Sequence, residues 1–159
     1  MDFIRIDGRV LVDGARTVRP RGANLGNWLL IEHFMIGLPS VERDMRRAFD
    51  EVFGREVAAE FWRRYRDAYI TEADIAYLAG LGATLVRLPF NQSLLEDDAE
   101  PGRWLPEGLA RIDACISWCR RHGMRVLLDL HAAPGGQALD WTADADGPRP
   151  LSWEHPALR

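Results

Sequence analysis

The stretch Val126–Gln137, VLLDLHAAPGGQ, decides the fold. Branched apolar residues, Val126 to Leu128, lead into Asp129, Leu130 and His131, and a Pro134-Gly135-Gly136 turn follows at once. This reads as a buried strand that carries an acid and an imidazole to its C-terminal end and stops in a glycine loop. In parallel α/β folds that end of a strand is where ligands bind and chemistry happens.

Working upstream, Pro106–His122 reads as a helix with Leu109, Ile112, Ile116 and Cys119 on one face and Gly123 as its stop. Thr84–Pro89 is a short strand. Before it, Thr71-Glu72-Ala73-Asp74 resembles a capping box with Asp in place of Glu or Gln, opening a helix with an Ile75, Leu78, Ala79 stripe. Residues 41–53 and 55–69 read as helices, the second with Val57, Phe61, Tyr65 and Ala68 on its apolar face. Residues 3–20 alternate apolar and polar around Asp7-Gly8 and Asp13-Gly14, a hairpin that runs into a strand over Val18–Leu25. Downstream, LSWEHPALR reads as the start of a helix. Strands alternating with helices of ten residues or more imply an α/β fold with a parallel sheet and right-handed crossovers. No repeat or linker divides residues 1–159, which read as one unit.

The totals are those of an ordinary globular domain: 159 residues, 47% hydrophobic and 28% charged. A net charge of −4 points to no nucleic-acid or membrane-surface partner. Lys is absent, which reads as genomic base composition rather than function. Cys115 and Cys119, four apart in a helical pattern, read as small buried residues on one face rather than a disulfide or metal pair. His122 and His131 have no metal-ligand spacing, so neither metal nor cofactor is expected. The N-terminus MDFIRIDGRV has no apolar signal region and no apolar run reaches spanning length, which leaves localisation open, with the cytoplasm as the default.

Alternation along each strand sorts the side chains. Val86 and Leu88 share one face, and Arg87 takes the other. Val126, Leu128 and Leu130 share one face, while Leu127, Asp129 and His131 take the other. The aliphatic faces should meet helices. If the strands are parallel neighbours, Arg87, Asp129 and His131 converge near their C-terminal ends. A charge on that inner face needs a partner, so Asp129 reads as the internal pair of Arg87. Arg87 and His131 read as site residues.

Three segments carry a resemblance. Arg21–Glu32, RGANLGNWLLIE, resembles the RGxNLGGWLxxE opening of glycoside hydrolase family 5, the cellulase-type enzymes, and most of all their exo-β-1,3-glucanase-like branch. LVRLPF over Leu85–Phe90 resembles that family's VRxP strand, and Leu128–Gln137 resembles its DLHxAPGxQ segment. The resemblance implies an eight-stranded (β/α) barrel and a retaining β-glycosidase with two glutamates about 5 Å apart. It implies that Arg87 holds the nucleophilic glutamate ionised, that His131 binds sugar in the cleavage subsite, and that Glu32 contacts sugar hydroxyls. Asn24, Trp28, Asp140 and Trp141 are further candidates for the sugar-binding surface. Trp141 reads equally as a loop-packing aromatic.

The chain departs from the family pattern in two ways. Asn27 stands where the opening motif more commonly has a second Gly. No Asn-Glu-Pro segment occurs, and the chain stops before a fourth barrel strand, whereas such barrels need roughly 250 residues. The expectation is therefore the N-terminal hairpin plus about three βα units of a partial (β/α)8 TIM barrel, with both catalytic glutamates absent and little activity alone. The expected partners are a β-glucan or β-glucoside and the remaining part of the barrel. Glu96, Asp97, Asp98 and Glu100 read as solvated loop, Asp144 and Asp146 as loop carboxylates with no evident partner, and Glu154 as part of a cut-off helix; none has the setting of an acid catalyst. The alternatives are a non-catalytic sugar-binding remnant, and a truncated product that needs a complementary fragment.

Overall fold

The computed structural model describes residues 3–38, 40–97, 100, 102–136, 141–145 and 151–156. The N-terminal segment is a three-stranded antiparallel meander, β1 (Arg5–Asp7), β2 (Val10–Asp13) and β3 (Arg16–Val18), one strand more than a hairpin. The chain then enters a parallel sheet in the order β4 (Gly22–Asn24), β5 (Leu85–Asn91), β6 (Arg125–Ala132). Register sets Asn24 against Arg87 and Pro89 against Asp129. Strand β4 runs so close to β5 that a Cβ at Gly22 would lie 1.7 Å from the Leu85 carbonyl oxygen, so no side chain fits there.

Four helices fill the first crossover: a single turn α1 (His33–Ile36), then α2 (Glu42–Phe53), α3 (Arg55–Tyr69) and α4 (Glu72–Gly80). The α4 capping box exists as read, with Asp74 Oδ2 accepting the Thr71 amide at 2.8 Å. A 16-residue helix, α5 (Pro106–Arg121), makes the second crossover, and a short α6 (Leu151–Glu154) follows β6. The meander is tied beneath the sheet by an ion pair between Asp13 and Arg125, at the start of β6.

The core lies between β5 and α4–α5. Val86 and Leu88 are fully buried there among Trp28, Ile75, Ile112, Cys115, Cys119 and Met124. Both cysteines are free and buried on one face of α5, as their spacing predicts. Helical periodicity was legible, but its phase shifts in two places. In α3 the buried residues are Ala58 and Trp62, while Val57 and Phe61 are exposed, because α3 faces Ile31 and Met45 and pairs aromatically with Phe49. In α5 the buried stripe is Gly108, Ile112, Cys115 and Cys119, leaving Leu109 and Ile116 at the margin. Gly108 is required at the head of that stripe, since a Cβ there would lie 1.8 Å from the Leu94 carbonyl oxygen.

The expectation for the aliphatic faces holds for β5 and fails for β6. Leu128 is 49% exposed and Leu130 45%, because β6 is the edge strand and α5 covers the β5 side. This contrast is measurable. Leu88→Ala should destabilise the protein by about 3 kcal/mol and Leu128→Ala by less than about 1 kcal/mol, read as the shift in urea-unfolding free energy.

Candidate active site

The C-terminal ends of β4, β5 and β6 bring the sequence-predicted residues to one place. Arg87 projects from β5, and its Nη1 donates to Asn24 Oδ1 on β4 at 2.9 Å. Its Nη2 forms an ion pair with Asp129 Oδ2 on β6 and lies 2.9 Å from His131 Nδ1. One guanidinium thus joins all three strands at their heads. Nδ1 of His131 therefore stands between a guanidinium, which can only donate, and a carboxylate, which accepts. Asp129 Oδ2 lies 3.0 Å from the same Nδ1. The Arg87–Asp129 pair predicted from charge burial is present. Its carboxylate lies against both the guanidinium and the imidazole.

Simple alternation missed how His131 is aimed. Phe90 pairs with Leu130 but Asn91 pairs with Ala132, so His131 is the extra residue of a bulge. A bulge bends its strand and redirects the side chain it carries.

Glu32 ends the loop that continues from β4, beside the head of β5, where the Asn91 amide donates to the Leu29 carbonyl. It is 7% exposed, and its Oε2 is buried with no hydrogen-bond partner among the described residues. The carboxylate lies against the backbone of Gly26: a Cβ there would stand 2.5 Å from Glu32 Oε2 and 3.0 Å from Asn24 Nδ2. Glycine at 26 is what lets Glu32 and Asn24 approach each other across the loop.

Trp28 is a correction. It is 1% exposed, its ring stacks on Trp118, and its Nε1 donates to the Arg66 carbonyl at 2.8 Å. It belongs to the core and offers no face to a sugar. Asp140 lies outside the described residues. Trp141 opens a 3-10 turn over Trp141–Ala143, and its side chain also lies outside the description.

Asp144 is the second correction. It has partners, and they are distant in sequence. Its Oδ1 accepts the Arg43 amide in the first turn of α2 at 2.9 Å, and its Oδ2 accepts from Asn91 Nδ2 at 2.9 Å. Val41, at the N-cap of α2, supplies no side-chain cap, and Asp144 supplies one from 101 residues away. Asn91 also reaches Glu42 Oε2 at 3.3 Å, and Glu42 accepts the Ile31 amide at 2.9 Å and Arg46 Nε at 2.8 Å. Glu42, Asn91 and Asp144 thus form one buried polar group at the C-terminal end of β5. Sequence periodicity carries no signal for them, because each is fixed by a partner far along the chain.

A sequence profile of the cellulase family (glycosyl hydrolase family 5) matches residues 46–149. A β-xylosidase of Phanerodontia chrysosporium is 39% identical over 156 residues, 98% of this chain and 33% of that protein. The chain belongs to glycosyl hydrolase family 5. A probable glucan 1,3-β-glucosidase A of Emericella nidulans is 34% identical over 142 residues, 84% of this chain and 33% of its own length. Among solved structures, the rutinosidase of Aspergillus niger superimposes with a TM-score of 0.60 at 21% identity, covering 81% of this chain and 37% of that one. The fold is therefore part of a family 5 barrel, and the chain spans about a third of the length of the curated relatives it matches.

Burial is the largest influence on the Asp144 carboxyl and pushes it above the usual Asp range, with the Glu42 charge acting in the same direction. A carboxyl raised by folding binds its proton more tightly in the native state. Its contribution is most favourable at low pH and is lost as pH rises from the unfolded value toward the raised one. Asp144→Asn removes that titration. The stability of the wild type relative to Asp144→Asn should therefore fall as pH rises through the carboxylate range, read by urea unfolding at a series of pH values. A gap that widens with pH would contradict the burial account.

Proposed function

We propose that this chain is the N-terminal part of a retaining β-glycosidase that hydrolyses O-glycosyl bonds of a β-glucan or β-glucoside. The observation that carries the reading is the Arg87 cluster at the heads of three parallel strands, where it holds Asn24, Asp129 and His131 together. In a retaining mechanism one carboxylate attacks the anomeric carbon and a second protonates the leaving oxygen, then takes a proton from water as the intermediate is hydrolysed. Neither catalytic glutamate is assigned to residues 1–159; both would come from the rest of the barrel.

Within that reading each group has a task. Arg87 presents a fixed positive charge beside the position of the nucleophilic carboxylate. It keeps that carboxylate ionised through a charge-assisted hydrogen bond. Asp129 holds the guanidinium in place. His131 binds a sugar hydroxyl in the cleavage subsite. Glu32, whose Oε2 has no donor among the described residues, accepts hydroxyl hydrogen bonds from the sugar. Asn24 adds to the binding surface, and for Asp140 and Trp141 the same role rests on the family resemblance alone.

The reading is tested by hydrolysis of laminari- and cello-oligosaccharides and aryl β-glucosides. The 159-residue chain alone should give no turnover above background, and a full-length barrel containing it should give robust turnover. Robust turnover by the short chain would overturn the assignment of the catalytic carboxylates elsewhere. In the full-length enzyme, Arg87→Ala should lower kcat/KM about 100-fold or more, the scale of losing one preorganised electrostatic group, with a smaller loss for His131→Ala.

A further inference from the structure

Glu32 sits on a loop whose backbone is fixed from outside the barrel strands. Asn27, five residues earlier, is buried and has φ 61°, the left-handed region that favours glycine. This backbone requirement accounts for a Gly-or-Asn position in the opening motif, but the side chain adds something glycine cannot. Asn27 Oδ1 accepts the Glu32 amide at 2.9 Å. Its Nδ2 donates to the Tyr65 hydroxyl at 2.9 Å, and that hydroxyl donates back to the Asn27 carbonyl oxygen. Tyr65 lies in α3 and stacks on Tyr69. The neighbouring Ile31 amide is held by Glu42 of α2. Both amides that set the direction of the Glu32 side chain are therefore held by buried polar side chains, one of α2 itself and one locked to α3.

We propose that Asn27 is a positioning residue for Glu32, and that through Tyr65 it makes the placement of this carboxylate depend on the α2–α3 pair. The proposal rests on the reading of Glu32 as a sugar-contacting group. A carboxylate that accepts hydroxyl hydrogen bonds must be held to within fractions of an ångström. At that end of the loop Gly26–Glu32, Asn27 acts beside Glu42, which accepts the Ile31 amide. The Asn27 side chain supplies a hydrogen bond to the Glu32 backbone and one arm of the lock to α3, and the return arm ends on its own carbonyl oxygen.

The test is Asn27→Gly. Glycine adopts φ 61° without strain, so the variant keeps the backbone path and removes only the side-chain bonds. In the 159-residue chain the Glu32 amide should exchange with deuterium at least tenfold faster, with the amides of Val86 and Leu88 little changed. Tyr65→Phe, which keeps the Oδ1 bond, removes both Tyr65 contacts and leaves Asn27 Nδ2 only the 3.4 Å contact to the Tyr69 hydroxyl of α3, should give an intermediate rate. Uniform acceleration across the core, or an unchanged Glu32 amide, would overturn the proposal. In the full-length enzyme, Asn27→Gly should lower kcat/KM about tenfold and have no further effect once Glu32→Ala is present, because both act through one group. Additive losses would also overturn it. If Glu32→Ala leaves hydrolysis unchanged, the reading of Glu32 as a sugar contact fails, and the exchange measurement still decides whether Asn27 positions it.

Discussion

One guanidinium holds the site together. Arg87 stands on the inner face of the middle strand of a parallel sheet, about one-third exposed, where an unpaired charge would be costly. Asn24, Asp129 and His131 answer it from the two flanking strands. The constraint runs in both directions. The register of β4, β5 and β6 brings the four groups within reach, and the charge in turn penalises any slip of register that would separate them. The opposite face of β5 has no such selectivity. Val86 and Leu88 bury against helices as any aliphatic pair would.

A second set of buried polar contacts fixes the loops to that sheet. Glu42, Asn91 and Asp144 tie the end of β5, the start of α2 and the segment after β6 into one connected group. Such a group favours a single arrangement because each member left unpaired would carry a desolvation cost of about 1–3 kcal/mol. Asn27 does the same for the loop leading to Glu32. The division of labour is clear: apolar burial assembles the helices on the sheet, and buried polar pairs decide where the loops above it lie.

Much of this could be read from the residues. The strand carrying Asp129 and His131, the strand carrying Arg87, the helix boundaries near 55–69 and 106–121, and the Arg87–Asp129 pair all follow from periodicity, capping and charge burial. The phase of α3 did not, because Val57 and Phe61 fit a helical stripe as well as Ala58 and Trp62 do. Only the position of the partner, Met45 with Phe49, selects between them. Trp28 failed for a related reason. A tryptophan in a motif next to a site is equally suited to stacking on a ligand or on Trp118, and the sequence does not say which way the loop turns. Asp144 was illegible because its partners are 53 and 101 residues away. The bulge at His131 was illegible because an extra residue in one strand leaves no mark on alternation.

The chain belongs to glycosyl hydrolase family 5, and the role proposed for its Arg87 cluster is in a double-displacement mechanism on a β-glycosidic bond. Proton NMR of the first product released from an aryl β-glucoside by the full-length enzyme tests that claim directly. The account predicts that the initial sugar is the β-anomer, which only later equilibrates in solution. Initial release of the α-anomer would mean single displacement by water, and would contradict a site organised around an ionised nucleophile beside Arg87.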